Sequence, residues 1–181
     1  MKPLFSLSLF FYLAIFPSIT NAQMFPKMDS SPMDLAMARE NRDTPPIARV
    51  IYSRPSKKGR EIFGNLVPFG KVWRTGANEA TELTLYRTLK FGKTLLKPGT
   101  YTLYTIPNKD EWTVIINSDT NVWGAYSYKP EKDIARLKIK SRNAPAPTET
   151  LSMVFRPEEN GTTLMIGWDD TYIEIPFTKT N

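Results

Sequence analysis

From Ile47 onward, apolar and polar side chains alternate along the chain in short runs at a period of two. Leu83, Leu85 and Leu89 alternate with Thr84, Tyr86 and Thr88. Trp112, Val114 and Ile116 share one face of residues 111–117. Ala135, Leu137 and Ile139 face one way across 134–140, while Arg136, Lys138 and Lys140 face the other. A strand places successive side chains on opposite faces, so this pattern predicts half-buried strands on an antiparallel sheet. Further strands are expected over 48–53, 101–106, 151–155, 163–168 and around Ile173, Ile175 and Phe177.

Turn signals separate these runs. Lys97-Pro98-Gly99 suits a type II turn, Pro107-Asn-Lys-Asp110 reverses the chain, and Asn160-Gly161 is a hairpin pair. Asp169-Asp170 is expected to turn the chain into its closing strand, and Ala144-Pro-Ala-Pro147 to form a stiff loop. Many short strands without helices between them predict an all-β fold, a single antiparallel β-sandwich with a jelly roll among its variants, over residues 47–178. Residues 23–46 form a lead-in arm. Within it Ser31-Pro32-Met33-Asp34 resembles a helix start, which predicts a short helix to about Asn41, closed by Pro45-Pro46.

The first 22 residues have the layout of a secretory signal peptide. Lys2 is the positive end, residues 4–16 are apolar, and Ser18-Ile-Thr-Asn-Ala22 offers small residues before a cut at Gln23. The apolar run is too short to span a bilayer, and no other stretch approaches the length required. An exported protein, periplasmic or extracellular, is expected. With no cysteine in the chain, neither an acylated N-terminus nor a disulfide can form. Cleavage removes one of 24 basic side chains and none of the 18 acidic ones, leaving 159 residues at net charge +5. The cations are scattered, apart from Lys57-Lys58-Gly59-Arg60. No basic stripe marks a nucleic-acid partner.

The absence of histidine and cysteine removes nucleophilic triads and the preferred zinc ligands. No cofactor and no metal are expected. Residues 64–71 resemble a P-loop only superficially, with one residue too many between the glycines and Val72 in place of the hydroxyl. Three constellations remain. Arg54 and Arg60 flank a cationic loop and can fork onto a carboxylate or phosphate, or simply face water. Trp73-Arg-Thr-Gly-Ala-Asn-Glu79 offers an aromatic face, a cation, an amide and a carboxylate around Gly76, whose freedom allows a positive φ. There Trp73, Arg74, Asn78 and Glu79 would serve a ligand; alternatively Arg74 and Glu79 form a buried pair with Trp73 in the core. Trp168 and Asp169, with Asp170 and Glu174, can join Glu79 in holding calcium or in the paired carboxylates of a glycosidase, or can form an ordinary turn.

Several longer stretches carry a family signature: Ile62-Phe-Gly-Asn-Leu-Val-Pro-Phe-Gly-Lys-Val-Trp-Arg-Thr-Gly-Ala-Asn-Glu-Ala-Thr81, Pro98-Gly-Thr-Tyr-Thr-Leu-Tyr-Thr-Ile-Pro107 and Trp123-Gly-Ala-Tyr-Ser-Tyr128. Over about residues 50–177 the chain resembles the bacterial family known as domain of unknown function 2911. The resemblance implies an exported or envelope-associated protein and carries no activity or catalytic residue with it. The favoured expectation is a non-catalytic envelope module that binds a polar or anionic ligand, such as a glycan, at the 73–79 loop. A carboxylate-dependent hydrolase using Glu79 and a structural protein without a small ligand are the alternatives.

Overall fold

The computed structural model describes residues 24–180, so the signal-peptide assignment to residues 1–22 lies outside the described residues. Ten strands follow in chain order: β1 (Met33–Arg39), β2 (Pro46–Ser53), β3 (Glu82–Leu85), β4 (Leu89–Phe91), β5 (Thr94–Leu96), β6 (Gly99–Ile106), β7 (Glu111–Asn117), β8 (Asp133–Lys140), β9 (Arg142–Glu158) and β10 (Gly161–Lys179). They build a six-stranded sheet, in the order β1-β2-β3-β6-β7-β8, and a four-stranded sheet, in the order β5-β4-β10-β9. All paired strands are antiparallel. The fold is the expected all-β sandwich. Among the described residues no helix is long and apolar enough to cross a membrane.

The alternating side chains explain the layering. Val50, Leu83, Leu103, Val114 and Ile116 of the first sheet meet Leu89, Phe91, Leu151, Ile166, Ile173 and Phe177 of the second in one buried cluster. Each such side chain withdrawn from water stabilises the fold by about 1.5–3 kcal/mol. On β8, Arg136, Lys138 and Lys140 face solvent while Ala135 is buried and Leu137 and Ile139 pack against the core, as the pattern predicts. A smaller cluster covers the other side of the large sheet. Tyr104 and Ile115, both buried, are joined there by Val122, Ala125 and Tyr128 of the connection between β7 and β8. That covering accounts for the unbroken apolar run Val114-Ile115-Ile116, which is buried on both faces.

Three elements differ from the sequence expectation. The stretch from Ser31 is no helix: β1 pairs with β2 from Met33↔Ser53 to Ala38↔Ala48. A helix cap contributes only about 1 kcal/mol, and a helix this short is marginal alone. The ladder satisfies the backbone over the whole run and packs Ala36 and Ala38 onto the core. Residues 83–89 are two strands rather than one, since the chain leaves the large sheet after Leu85 and enters the small sheet at Leu89. The alternation survives because both sheets face the same core. The Ala144-Pro-Ala-Pro147 stretch lies inside β9. As the edge strand it tolerates prolines, and the ladder to β10 is interrupted there, between the Asp169↔Thr148 and Thr171↔Asn143 pairs.

β10 doubles back on itself. Gly161 lies so close to the far end of the same element that an added Cβ would stand 2.0 Å from the Phe177 carbonyl oxygen. The Lys179 N–H donates to Asn160 O at 2.8 Å, and Gly167 abuts the Tyr172 Cβ. The reversal falls at Asp169-Asp170, as the sequence predicts, with Asp169 at φ 55° and the register to β9 shifted on either side. Of its two arms, 161–168 runs beside β9 and 171–179 reaches β4.

Candidate functional site

The 73–79 loop is held by its own backbone. Trp73 and Thr105 exchange N–H···O bonds at 2.7 and 3.0 Å, and the Thr81 N–H donates to Arg74 O at 3.0 Å. Inside this closed loop the Trp73 indole donates to Gly76 O at 3.1 Å, and the hydroxyls of Thr75 and Thr105 pair at 3.0 Å. Thr81 Oγ1 donates to Thr75 O at 2.9 Å. The left-handed residues are Thr75 (φ 55°) and Asn78 (φ 54°), not Gly76 as the sequence suggested. Gly76 serves close approach instead: a Cβ there would stand 3.2 Å from Ser53 O. A buried, β-branched residue at positive φ is strained, and the surrounding bonds over-determine it. The effect is a rigid loop that fixes where Arg74 and Asn78 project.

They project into a cleft of about 370 Å³ at the end of the sandwich. Five of the eight residues singled out from the sequence line it: Arg60, Trp73, Arg74, Asn78 and Trp168. Lys58, Ser30, Ser31, Ser56, Leu66 and Val67 complete its walls. Three cationic side chains therefore face one space that no carboxylate of the described residues lines. The two tryptophans touch the cleft only by their rims, because Trp73 is 8% and Trp168 1% exposed. Trp73 stacks on Trp168 and meets Trp112 and Phe63 edge-on. Trp73 is in the core, as the alternative has it, but without the Arg74–Glu79 pair of that alternative among the described residues, and its ring face is not open to a sugar.

The 54–60 loop lies along β9, with Lys57 N–H bonded to Glu149 O at 2.7 Å and Leu151 N–H to Pro55 O at 3.0 Å. It turns at Lys58 (φ 51°) and Gly59 (φ 70°). The Lys58 N–H donates to Glu149 Oε1 at 2.8 Å. Arg60 folds back, donating from Nε to Lys57 O at 2.9 Å and from Nη2 to Ser56 O at 2.6 Å. On the opposite wall the Asn78 amide donates to Asp29 Oδ1 at 3.1 Å, which ties the lead-in to the cleft rim. Arg74 is unlike the others. Its Nε is buried and has no hydrogen-bond partner among the described residues.

The other three sequence candidates lie elsewhere. Glu79, just after the left-handed Asn78, lines a separate cleft of about 180 Å³ with Met33, Ile51, Glu82 and Asn121. It makes no ion pair with Arg74 among the described residues. Arg54 is a clamp: its guanidinium donates to Leu151 O (3.0 Å), Asp34 Oδ2 (3.0 Å), Thr150 Oγ1 (3.0 Å) and Ser152 Oγ (2.9 Å). Asp169 is paired with Lys57. Glu79 and Asp169 thus share no cavity, and Glu174 is engaged by Arg142 and Arg156. Among the described residues no three carboxylates converge as a metal site would require.

The serines of the lead-in and Lys58 were missed at the sequence level. Lys58 sat in the quoted basic loop, but Ser30 and Ser31 carried no signal beyond a helix cap that does not exist. No curated protein and no solved structure matches the chain. A family model described as "Protein of unknown function (DUF2911)" matches residues 31–177, which extends the recognised region back through β1. Since that match takes in both sheets, both walls of the cleft and most of the sequence, the chain belongs to the DUF2911 family.

Proposed function

We propose that this protein is an exported, non-catalytic binding module that takes a polar, anionic ligand, such as a glycan, into the cleft beside the 73–79 loop. One observation carries the reading: Lys58, Arg60 and Arg74 line a single concave space that no carboxylate of the described residues lines. Charges of one sign in a cleft focus the field and raise the local concentration of the opposite ion. The Ser30, Ser31, Ser56 and Asn78 side chains add hydroxyl and amide groups suited to a hydroxylated partner. Among the described residues that line the cleft there is no carboxylate, histidine or cysteine to act as general base, and the Asp29 carboxylate at the rim is taken up by the Ser31 N–H and the Asn78 amide. A hydrolase built on Glu79 and Asp169 has less support, because the two carboxylates open onto different surroundings.

The test is calorimetric titration of the exported protein with a panel of anionic and neutral oligosaccharides at low and high salt. Anionic members should bind, lose affinity as salt screens the cleft, and bind more weakly to Lys58→Ala and Arg60→Ala. Binding indifferent to both substitutions and to salt would place the ligand site elsewhere.

A further inference from the structure

Resting on that reading, we infer that the ligand is an acidic sugar whose oxyanion, a carboxylate or a phosphate, seats on the Arg74 guanidinium through its Nη groups. Four other arginines of the fold are engaged through Nε. Arg54, Arg60, Arg136 and Arg156 each place Nε on a protein acceptor: Leu151 O, Lys57 O, Asp133 Oδ2 and Glu158 Oε1. Their forks are spent on the fold. Arg74 lines the cleft, its Nε is buried, and it makes no hydrogen bond or ion pair among the described residues. Arg49 Nε is also buried without a partner, but Arg49 lies on β2 and does not line the cleft.

A guanidinium offers two parallel N–H groups along its Nη1–Nη2 edge as well, spaced to meet both oxygens of a carboxylate or two of a phosphate. The Arg74 Nε is closed to the cleft, so the oxyanion is met by the Nη groups, which no described residue engages. Arg60 cannot present the same edge, because Nε and Nη2 already bind the carbonyls of Lys57 and Ser56. Lys58 can add charge but no fork.

The rest of the wall describes the body of the ligand. Asn78 spends its amide N–H on Asp29, which leaves its carbonyl oxygen to accept from a ligand hydroxyl. Ser30, Ser31 and Ser56 can donate or accept, and Leu66 and Val67 offer an apolar flank for C–H groups. A volume of about 370 Å³ suits one or two sugar rings rather than a long chain. Acceptors beside cations select a hydroxylated anion over a bare one.

The experiment titrates wild type, Arg74→Lys and Arg74→Gln with glucuronate, glucose 6-phosphate and glucose in phosphate-free buffer. The Arg74 guanidinium N–H resonance of the ¹⁵N-labelled wild type is followed in parallel, and melting curves check that the variants fold. At least one charged sugar should bind, glucose should not, and the Arg74 guanidinium N–H signal should shift with saturation. Both variants should lose about tenfold or more in affinity, Arg74→Lys included, since lysine keeps the charge but not the fork. Stronger binding of glucuronate would assign a carboxylate, and of glucose 6-phosphate a phosphate. Glucose binding as tightly as the charged sugars, full affinity in Arg74→Lys, or an unmoved guanidinium N–H signal on saturation would each overturn the proposal while leaving the cleft reading in place. Silence of all three probes would overturn it as well; the cleft reading falls only if the wider anionic panel is also silent. The wild-type resonance decides the matter even if the variants fail to fold.

Discussion

The indoles of Trp73 and Trp168 lie nearly parallel beneath the cleft, with ring centroids 6.1 Å apart and planes inclined by 19°. Trp73 belongs to the loop bonded to β6, and Trp168 stands just before the reversal in β10, so the pair joins the two sheets. Each indole N–H has a partner, Gly76 O for Trp73 and Glu149 O for Trp168, both at 3.1 Å. The floor of the cleft is therefore a piece of the core, and its polar walls stand on a rigid base.

Replacing Trp168 by alanine should cost about 3–5 kcal/mol, the usual range for a buried tryptophan. Part of that loss should be shared with Trp73, because stacked aromatic pairs contribute about 0.5–1.5 kcal/mol beyond burial. Urea unfolding of both single variants and the double variant measures the coupling. A double-variant loss equal to the sum of the two single losses would show that the rings act independently.

Glu79→Gln should leave both the melting temperature and the affinity for anionic sugars close to wild type. Its carboxylate faces the second cleft, beside Glu82 and Asn121, and no described cation pairs with it. Calorimetry and a melting curve on one preparation suffice. A large loss of affinity would mean that the ligand reaches across the 78–79 stretch into both clefts.

Tyr128 should make stability fall at high pH. Burial first, and then its donation to Asp133 Oδ2 at 2.6 Å, raise its phenol from an ordinary value of 10.0 to about 12. The folded state thus holds the neutral phenol beyond the point at which the unfolded chain ionises. The contribution should be complete below about pH 10 and be lost as pH rises to about 12. Unfolding midpoints of wild type and Tyr128→Phe, compared between those limits, should converge as pH rises. A constant gap would mean the phenol titrates alike in both states.

What the residues determined alone is what depends on near neighbours. The alternation at Ala135, Leu137 and Ile139, the Asn160-Gly161 and Asp169-Asp170 reversals, and the polar 73–79 segment were legible, because facing and turning are set within a few bonds along the chain. β1 was not: a cap signal at Ser31 favours a helix locally, and only the β2 ladder, offered from residues 46–53, outweighs it. The fate of each arginine was likewise invisible. Arg54 is consumed by Thr150, Leu151 and Ser152, and Lys57 by Asp169, partners about a hundred positions away that the sandwich brings alongside. Only folding spends those cations on structure and leaves the Arg74 guanidinium at the cleft without a described partner. Asn78 and Glu79 were grouped as one site, yet the left-handed turn at Asn78 separates the two side chains, and the tertiary structure put a different cleft on each.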